Sequence, residues 1–444
     1  MIHTVRTNKQ AKDIALTFLN QAWRLVSGPL MLLLIPLYLT EEQQGYWYLF
    51  GSIAALSMLA DLGFSNIILQ FSAHEYAFVK YGEDGLLHGE KKCIQKVGSF
   101  FRFVLRWLFC VCIIAYPIIF SIGIYFFIRD TVFPVYIIPW IIYSFGSLVN
   151  FVNNSILSFI EGMDQISAVQ KSRLFVAIIN TVVVITCLLM HLNIYALAFA
   201  MLLSASFMVI TIFKTFGKLM HQIWYESKYF TYPWNQEILP LFRKYVLSFT
   251  SGYFLTQIYT PLMHYFHGAT YGGKVGISMI LVGTMFSFSN IWVYTVTPRI
   301  NILIEQKAWQ ALDGVFHKRL LCNLLTYLFV AVAFFMFMTV FGNTAVIRKI
   351  ISRFLPGQAL LLLMVAQFGQ LFTNAWAVYL RGHKIEPYWY INALAALWVV
   401  LITVLVGTLL PADYFFIGLF SSYAWVIPWS YVLFRRWKQK LHIC

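Results

Sequence analysis

Charge is scarce in this chain. Only 11% of its 444 residues are charged while 60% are apolar, a balance that excludes an ordinary soluble globular protein and points to an integral membrane protein. Carboxylates are scarcest: there are 17 Asp and Glu against 32 Lys and Arg, and only Asp61 falls inside a long apolar run. General acid-base chemistry has so few candidate groups that the chain is read as a non-enzyme. The six cysteines, at 93, 110, 112, 187, 322 and 444, form no CxxC pair, which argues against a zinc site or a disulfide framework. Gly268 to Lys274 has phosphate-loop spacing, but Val275 stands where the magnesium-binding Ser or Thr belongs, so no nucleotide site is expected there. No metal and no cofactor is expected anywhere. The polar, basic N-terminus is not followed by a short apolar core with a cleavage site, so the first helix is expected to be retained.

What is there is apolar sequence in long runs. Twelve segments of about 18 to 30 residues are each long enough to cross a bilayer, and in lipid each must be helical to satisfy its own backbone. The fold class expected is an all-α membrane protein of two six-helix lobes. An N-terminal lobe is drawn over 1–216, a linker over 217–245, a C-terminal lobe over 246–434 and a basic tail over 435–444. The second span is drawn as Tyr46 to Phe71 and the seventh as Val246 to His267. The net charge of +15 raises a nucleic-acid partner, but the Lys and Arg sit in short segments between apolar runs. That placement fits topology control by the positive-inside rule, with both termini cytoplasmic, and no nucleic acid.

The run G-Y-W-Y-L-F from Gly45 to Phe50, followed by A-D-L-G-F-S from Ala60 to Ser65, resembles the second membrane helix of Wzx-type polysaccharide flippases. These belong to the multidrug, oligosaccharidyl-lipid and polysaccharide exporter superfamily. The resemblance is local, about 30 residues of the chain. It implies two lobes facing a central cavity in a bacterial inner membrane. It also implies a lipid-linked oligosaccharide as cargo, a polyprenyl-diphosphate glycan moved to the outer leaflet for O-antigen or capsule synthesis. Membrane lipids and polysaccharide assembly proteins are the partners that go with it.

Several residues could carry such a task. Arg24 and Asp61 fall at similar depth in the first two spans. Two readings stand: a structural ion pair that lets both survive burial, or a cavity-facing guanidinium offered to a diphosphate with Asp61 holding or releasing it. Asn150 and Asn154 in the fourth span, and Gln257 and His264 beside Pro261 in the seventh, are candidate sugar ligands against a background of helix-to-helix hydrogen bonding. Asp61 and His264 are the candidates for ion coupling. Arg102 and Arg106 are placed at the substrate entrance, against snorkelling to headgroups. Arg348 and Arg353, on an amphipathic stretch expected to lie on the outer leaflet, are placed at the exit. The main alternative is an ion-coupled small-molecule or drug antiporter of the same fold, which would need more buried carboxylates. A membrane glycosyltransferase or polymerase is a more distant one.

Overall fold

In the computed structural model, residues 2–443 are described apart from 83, 384 and 386. Among them, the side chains of 2–12, 14, 24, 241, 244, 245, 247, 248, 298, 305 and 443 lie outside the description. Among the described residues the chain is helical apart from one small hairpin, with a single 3-10 turn at Ala412–Tyr414. The first part runs α1 (Ile2–Tyr38), α2 (Glu41–Ala54), α3 (Ser57–Asp61), α4 (Phe64–Tyr76), β1 (Val79–Tyr81), β2 (Leu87–Gly89), α5 (Lys91–Arg129), α6 (Phe133–Gly162), α7 (Ile166–Leu189) and α8 (Tyr195–Glu226). It continues with α9 (Trp234–Thr256), α10 (Tyr259–His267), α11 (Ala269–Tyr294), α12 (Thr297–Glu305), α13 (Trp309–Phe341), α14 (Ala345–Ile351), α15 (Gly357–Gly382), α16 (Trp389–Leu409) and α17 (Ile417–Ile443). Among the described residues, ten helices are long and apolar enough to cross a membrane, or up to eleven if the bent pair Glu41–Asp61 and Phe64–Tyr76 is one span.

The chain divides into two compact units. One comprises residues 1–27 and 53–249, the other 28–52 and 250–444. In the first, Phe100, Phe101, Phe159 and Trp234 form an aromatic centre among α5, α6 and α9. The Asn153 side chain donates to the Ala205 carbonyl at 2.9 Å, so this polar residue of α6 serves contact with α8. Ion pairs within this unit include Lys96 with Glu75 at 2.8 Å and Arg173 with Glu161 at 2.9 Å. The hairpin is docked through both strands: the Tyr76 hydroxyl of α4 accepts from the Tyr81 N–H at 3.4 Å, and Gln222 of α8 accepts from the Leu87 N–H at 2.7 Å and donates to the Leu87 carbonyl at 2.9 Å. Its amide pairs with the strand as a neighbouring backbone would. In the second unit Tyr259, Met263, Val282, Leu363 and Phe416 pack together, and Tyr327 donates to the Met364 carbonyl at 3.0 Å.

Two expected spans prove to be interrupted. The second was drawn unbroken, but the helix stops at Asp61, and Leu62 and Gly63 take φ of 47° and 80° before α4 begins, with a bend of 47° between the two helical segments. The cause lies in Gly63 and in what surrounds it. Glycine enters the left-handed region without a Cβ penalty. A Cβ at Gly63 would also collide with the Phe249 ring. The N-terminal groups of α4 that the break uncovers are met by Asp61, whose Oδ1 accepts from the Ser65 N–H at 3.2 Å and the Ser65 hydroxyl at 2.7 Å. A carboxylate there is favoured by the helix dipole as well as by the hydrogen bonds. The seventh span is likewise split, between α9 and α10 at residues 257–258. Of the stretch drawn as a linker, α8 continues through residue 226 and α9 resumes at 234.

Two outcomes follow from the break. Gly63→Ala combines a left-handed backbone with a collision against Phe249 and is expected to cost about 1–3 kcal/mol, read as a lowered Tm of the purified protein; an unchanged melt would show that the turn tolerates a Cβ. Asp61→Ala removes the acceptor for Ser65 and is expected to cost roughly 0.5–2 kcal/mol. Asp61→Asn, which keeps one acceptor oxygen, should melt between the two, and equal melting of all three proteins would remove the cap from the account.

Candidate functional site

The break does more than bend the helix. It presents Asp61 to a cavity of 220 Å³ inside the first unit, lined also by Ser57, Ser65, Ser147, Asn150 and Asn154, with Met58, Phe151 and Phe249 as apolar wall. Three residues singled out from sequence, Asp61, Asn150 and Asn154, are thus brought together on two elements, the α3–α4 break and α6. The geometry of α6 explains the grouping: positions 147, 150, 151 and 154 recur at helical spacing and share one face. The Asn154 amide donates to the Asn150 carbonyl at 2.9 Å, which leaves its oxygen as the group that accepts. The cavity therefore offers one carboxylate amid hydroxyls and amides. Such a lining suits a cation or the hydroxyls of a sugar.

A second polar cavity, of 210 Å³, lies within the other unit. Thr256 of α9, Gln370, Thr373, Asn374 and Arg381 of α15, Tyr388 and Asn392 at the start of α16, and Ser422 and Ser430 of α17 line it. Asn374 is held from behind: its amide donates to Asn290 Oδ1 at 3.0 Å, and Asn290 also accepts from Asn323 at 3.3 Å. The Tyr388 hydroxyl donates to the Ser430 carbonyl at 3.2 Å. Among the described residues, the lining contains a guanidinium, several amides and hydroxyls, and no carboxylate, whereas the first cavity holds a carboxylate. None of these residues was singled out from sequence. The signal was present, since Gln370, Thr373, Asn374 and Arg381 follow the i, i+3, i+4, i+11 spacing of one helical face inside an otherwise apolar span.

The other candidates lie apart. The side chain of Arg24 is outside the described residues, so its pairing with Asp61 stays an expectation. Gln257 sits at the interruption between α9 and α10, its N–H donating to the Tyr253 carbonyl at 2.8 Å. His264 is buried in the second unit, edge-on to Tyr46 with ring centroids 5.1 Å apart. Neither residue lines either cavity. Arg102 donates to the carbonyls of Trp224 and Lys228 and so caps the carboxyl end of α8, where a cation meets both unpaired carbonyls and the negative end of the dipole. Arg106 and Arg348 are exposed. Arg353 is buried and donates to the Leu39 carbonyl at 2.8 Å.

No known family and no curated protein matches this sequence. Solved structures do match its fold. A multidrug resistance MATE family transporter of the MOP superfamily in an inward-facing conformation superposes with a TM-score of 0.65 at 13% identity, over 97% of this chain and 98% of the other. The outward-facing conformation of such a transporter gives 0.57 at 14% identity, over 98% and 97%. A Vibrio cholerae MATE transporter mutant gives 0.53 at 12% identity, over 99% and 100%. These likenesses run the length of the chain, and what they show is its fold, which is that of the MATE transporters.

Proposed function

We propose that this chain is an alternating-access transporter that carries the head of a lipid-linked oligosaccharide, a polyprenyl-diphosphate glycan, across a bacterial inner membrane. The observation that carries this reading is the second cavity. A guanidinium among uncharged amides and hydroxyls is a set of groups for phosphate oxygens and sugar hydroxyls, and it is a poor one for a cationic drug. The local resemblance at residues 45–65 and the scarcity of buried acids support the same cargo. A diphosphate head moved through hydrocarbon without protein would carry a prohibitive desolvation cost, so a polar lining is the physical requirement for the task.

A second reading has its own support. The structural neighbours are described as multidrug resistance transporters, which backs an ion-coupled small-molecule antiporter more directly than it backs a glycan flippase. The Asp61 cavity, with its single carboxylate, is where a coupling ion or a cationic cargo would be held in that case.

Proteoliposomes separate the two. With labelled lipid-diphosphate oligosaccharide in both leaflets and a membrane-impermeant glycosidase outside, the purified protein is expected to expose the inner pool faster than empty vesicles. Arg381→Gln is expected to slow that exposure about tenfold or more, the worth of one charge-assisted contact. In parallel, efflux of a cationic dye under an imposed ion gradient is measured with the native protein and Asp61→Asn. Dye efflux lost in Asp61→Asn, together with glycan exposure no faster than in empty vesicles, would replace the flippase reading by the antiporter reading.

A further inference from the structure

Residues 28–52 comprise the carboxyl-terminal part of α1, the turn, and most of α2. They pack with 250–444, although the segments on either side of them in sequence pack with one another. Both boundaries fall where the helical ladder is weak. Pro29, one residue past the first boundary, lies inside α1, removing one backbone hydrogen bond and crowding the preceding turn. The second boundary lies two residues before the α2–α3 interruption at residues 55–56. Between them the turn from α1 into α2 is tied by local hydrogen bonds. Thr40 and Gln43 form a reciprocal capping box, Thr40 N–H to Gln43 Oε1 at 3.1 Å and Gln43 N–H to Thr40 Oγ1 at 3.2 Å.

Three side chains fasten this turn to the segment around α14 and to α11. Arg353 Nη2 donates to the Leu39 carbonyl at 2.8 Å, and Lys349 Nζ donates to the Leu37 carbonyl at 3.0 Å. These carbonyls end α1 and have no partner within the helix, so the two cations cap it and complement its dipole. Gln44 donates to the Gly273 carbonyl at 3.1 Å and to the Arg353 carbonyl at 3.4 Å. The helices can come this close because glycine stands on both sides: a Cβ on Gly273 would lie 2.8 Å from the Gly45 nitrogen. The fastening is incomplete, however. Arg353 Nη1 and Gln44 Oε1 are buried without a hydrogen bond among the described residues, so parting exposes to water groups that gain by it.

We propose that residues 28–52 form a movable arm and that Arg353, with Lys349 and Gln44, is the latch that holds it against 250–444 in one state of the cycle and releases it in another. The arm turns about Pro29 and the α2–α3 interruption. The cycle itself rests on the transport reading above, whereas the latch is testable without any cargo.

Leu39 is 2% exposed, so a Leu39→Cys thiol reports whether the latch is shut. In nanodiscs, labelling by a membrane-impermeant maleimide, corrected for the protein without the added cysteine, is expected to be slow. It should accelerate at least threefold when Arg353→Gln is added, and Arg353→Lys should restore part of the protection. Circular dichroism and melting establish that the variants are folded. Unchanged labelling in folded Arg353→Gln overturns the latch. A second arm joins Leu37→Cys to Lys349→Cys with a short bifunctional thiosulfonate. Whichever cargo the native protein moves, glycan or dye, transport should stop on cross-linking and return with reductant, and full-rate transport by the cross-linked protein also overturns the proposal. If the native protein moves neither cargo, the transport reading fails while the labelling result still decides the latch.

Discussion

A backbone polar group in hydrocarbon has no water to turn to, so every place where a helix stops inside or beside the membrane must be met by some other group of the protein. In a chain with so little charge, that requirement decides where the charged residues go. Asp61 meets the N-terminal groups of α4, Arg102 the last carbonyls of α8, and Arg353 with Lys349 the last carbonyls of α1. Gln222 does the same for a strand by pairing with both backbone groups of Leu87. The helix breaks and their caps come first, and the polar cavities follow, because the break that needs Asp61 also turns that carboxylate toward open space.

The bundle was legible in the sequence because apolar run length is a direct consequence of bilayer thickness. Grouping of Asp61 with Asn150 and Asn154 was half legible. Their helical faces follow from spacing, but which faces meet is decided by packing partners far along the chain. The interruption after Asp61 was misjudged, since Leu62 and Gly63 look like ordinary apolar filler until the collision of a Cβ with Phe249 is seen. Arg102 was singled out as a cation near a helix end and Arg353 as part of a cationic amphipathic stretch. Sequence alone could not show that each ends in hydrogen bonds to carbonyls, more than 120 residues away for Arg102 and more than 300 for Arg353. The polar face of α15 was overlooked because amides and hydroxyls scattered in an apolar run raise less notice than charges, although their spacing was regular.

The two cavities divide the electrostatics of the protein between its units. One holds a carboxylate and the other a guanidinium, each among groups that hydrogen-bond without charge. A cargo with sugar hydroxyls finds partners in either, whereas a purely cationic or purely anionic one is served by a single unit. On the transport function proposed above, substrate class follows from which cavity the cargo head enters, and a difference between Arg381 and Asp61 variants in transport is the most direct record of that entry.

The cap on α1 has a further consequence, in the order in which the protein is made. Leu39 and its Arg353 partner are separated by 314 residues. At about 5–20 residues per second of synthesis, the end of the first helix waits roughly 15–60 s for the side chain that completes it. During that interval its carbonyls must be hydrated, so the newborn turn has to reside in the wet headgroup region. Burial beneath α14 is thus a late step of assembly, taken only after most of the second unit has left the ribosome.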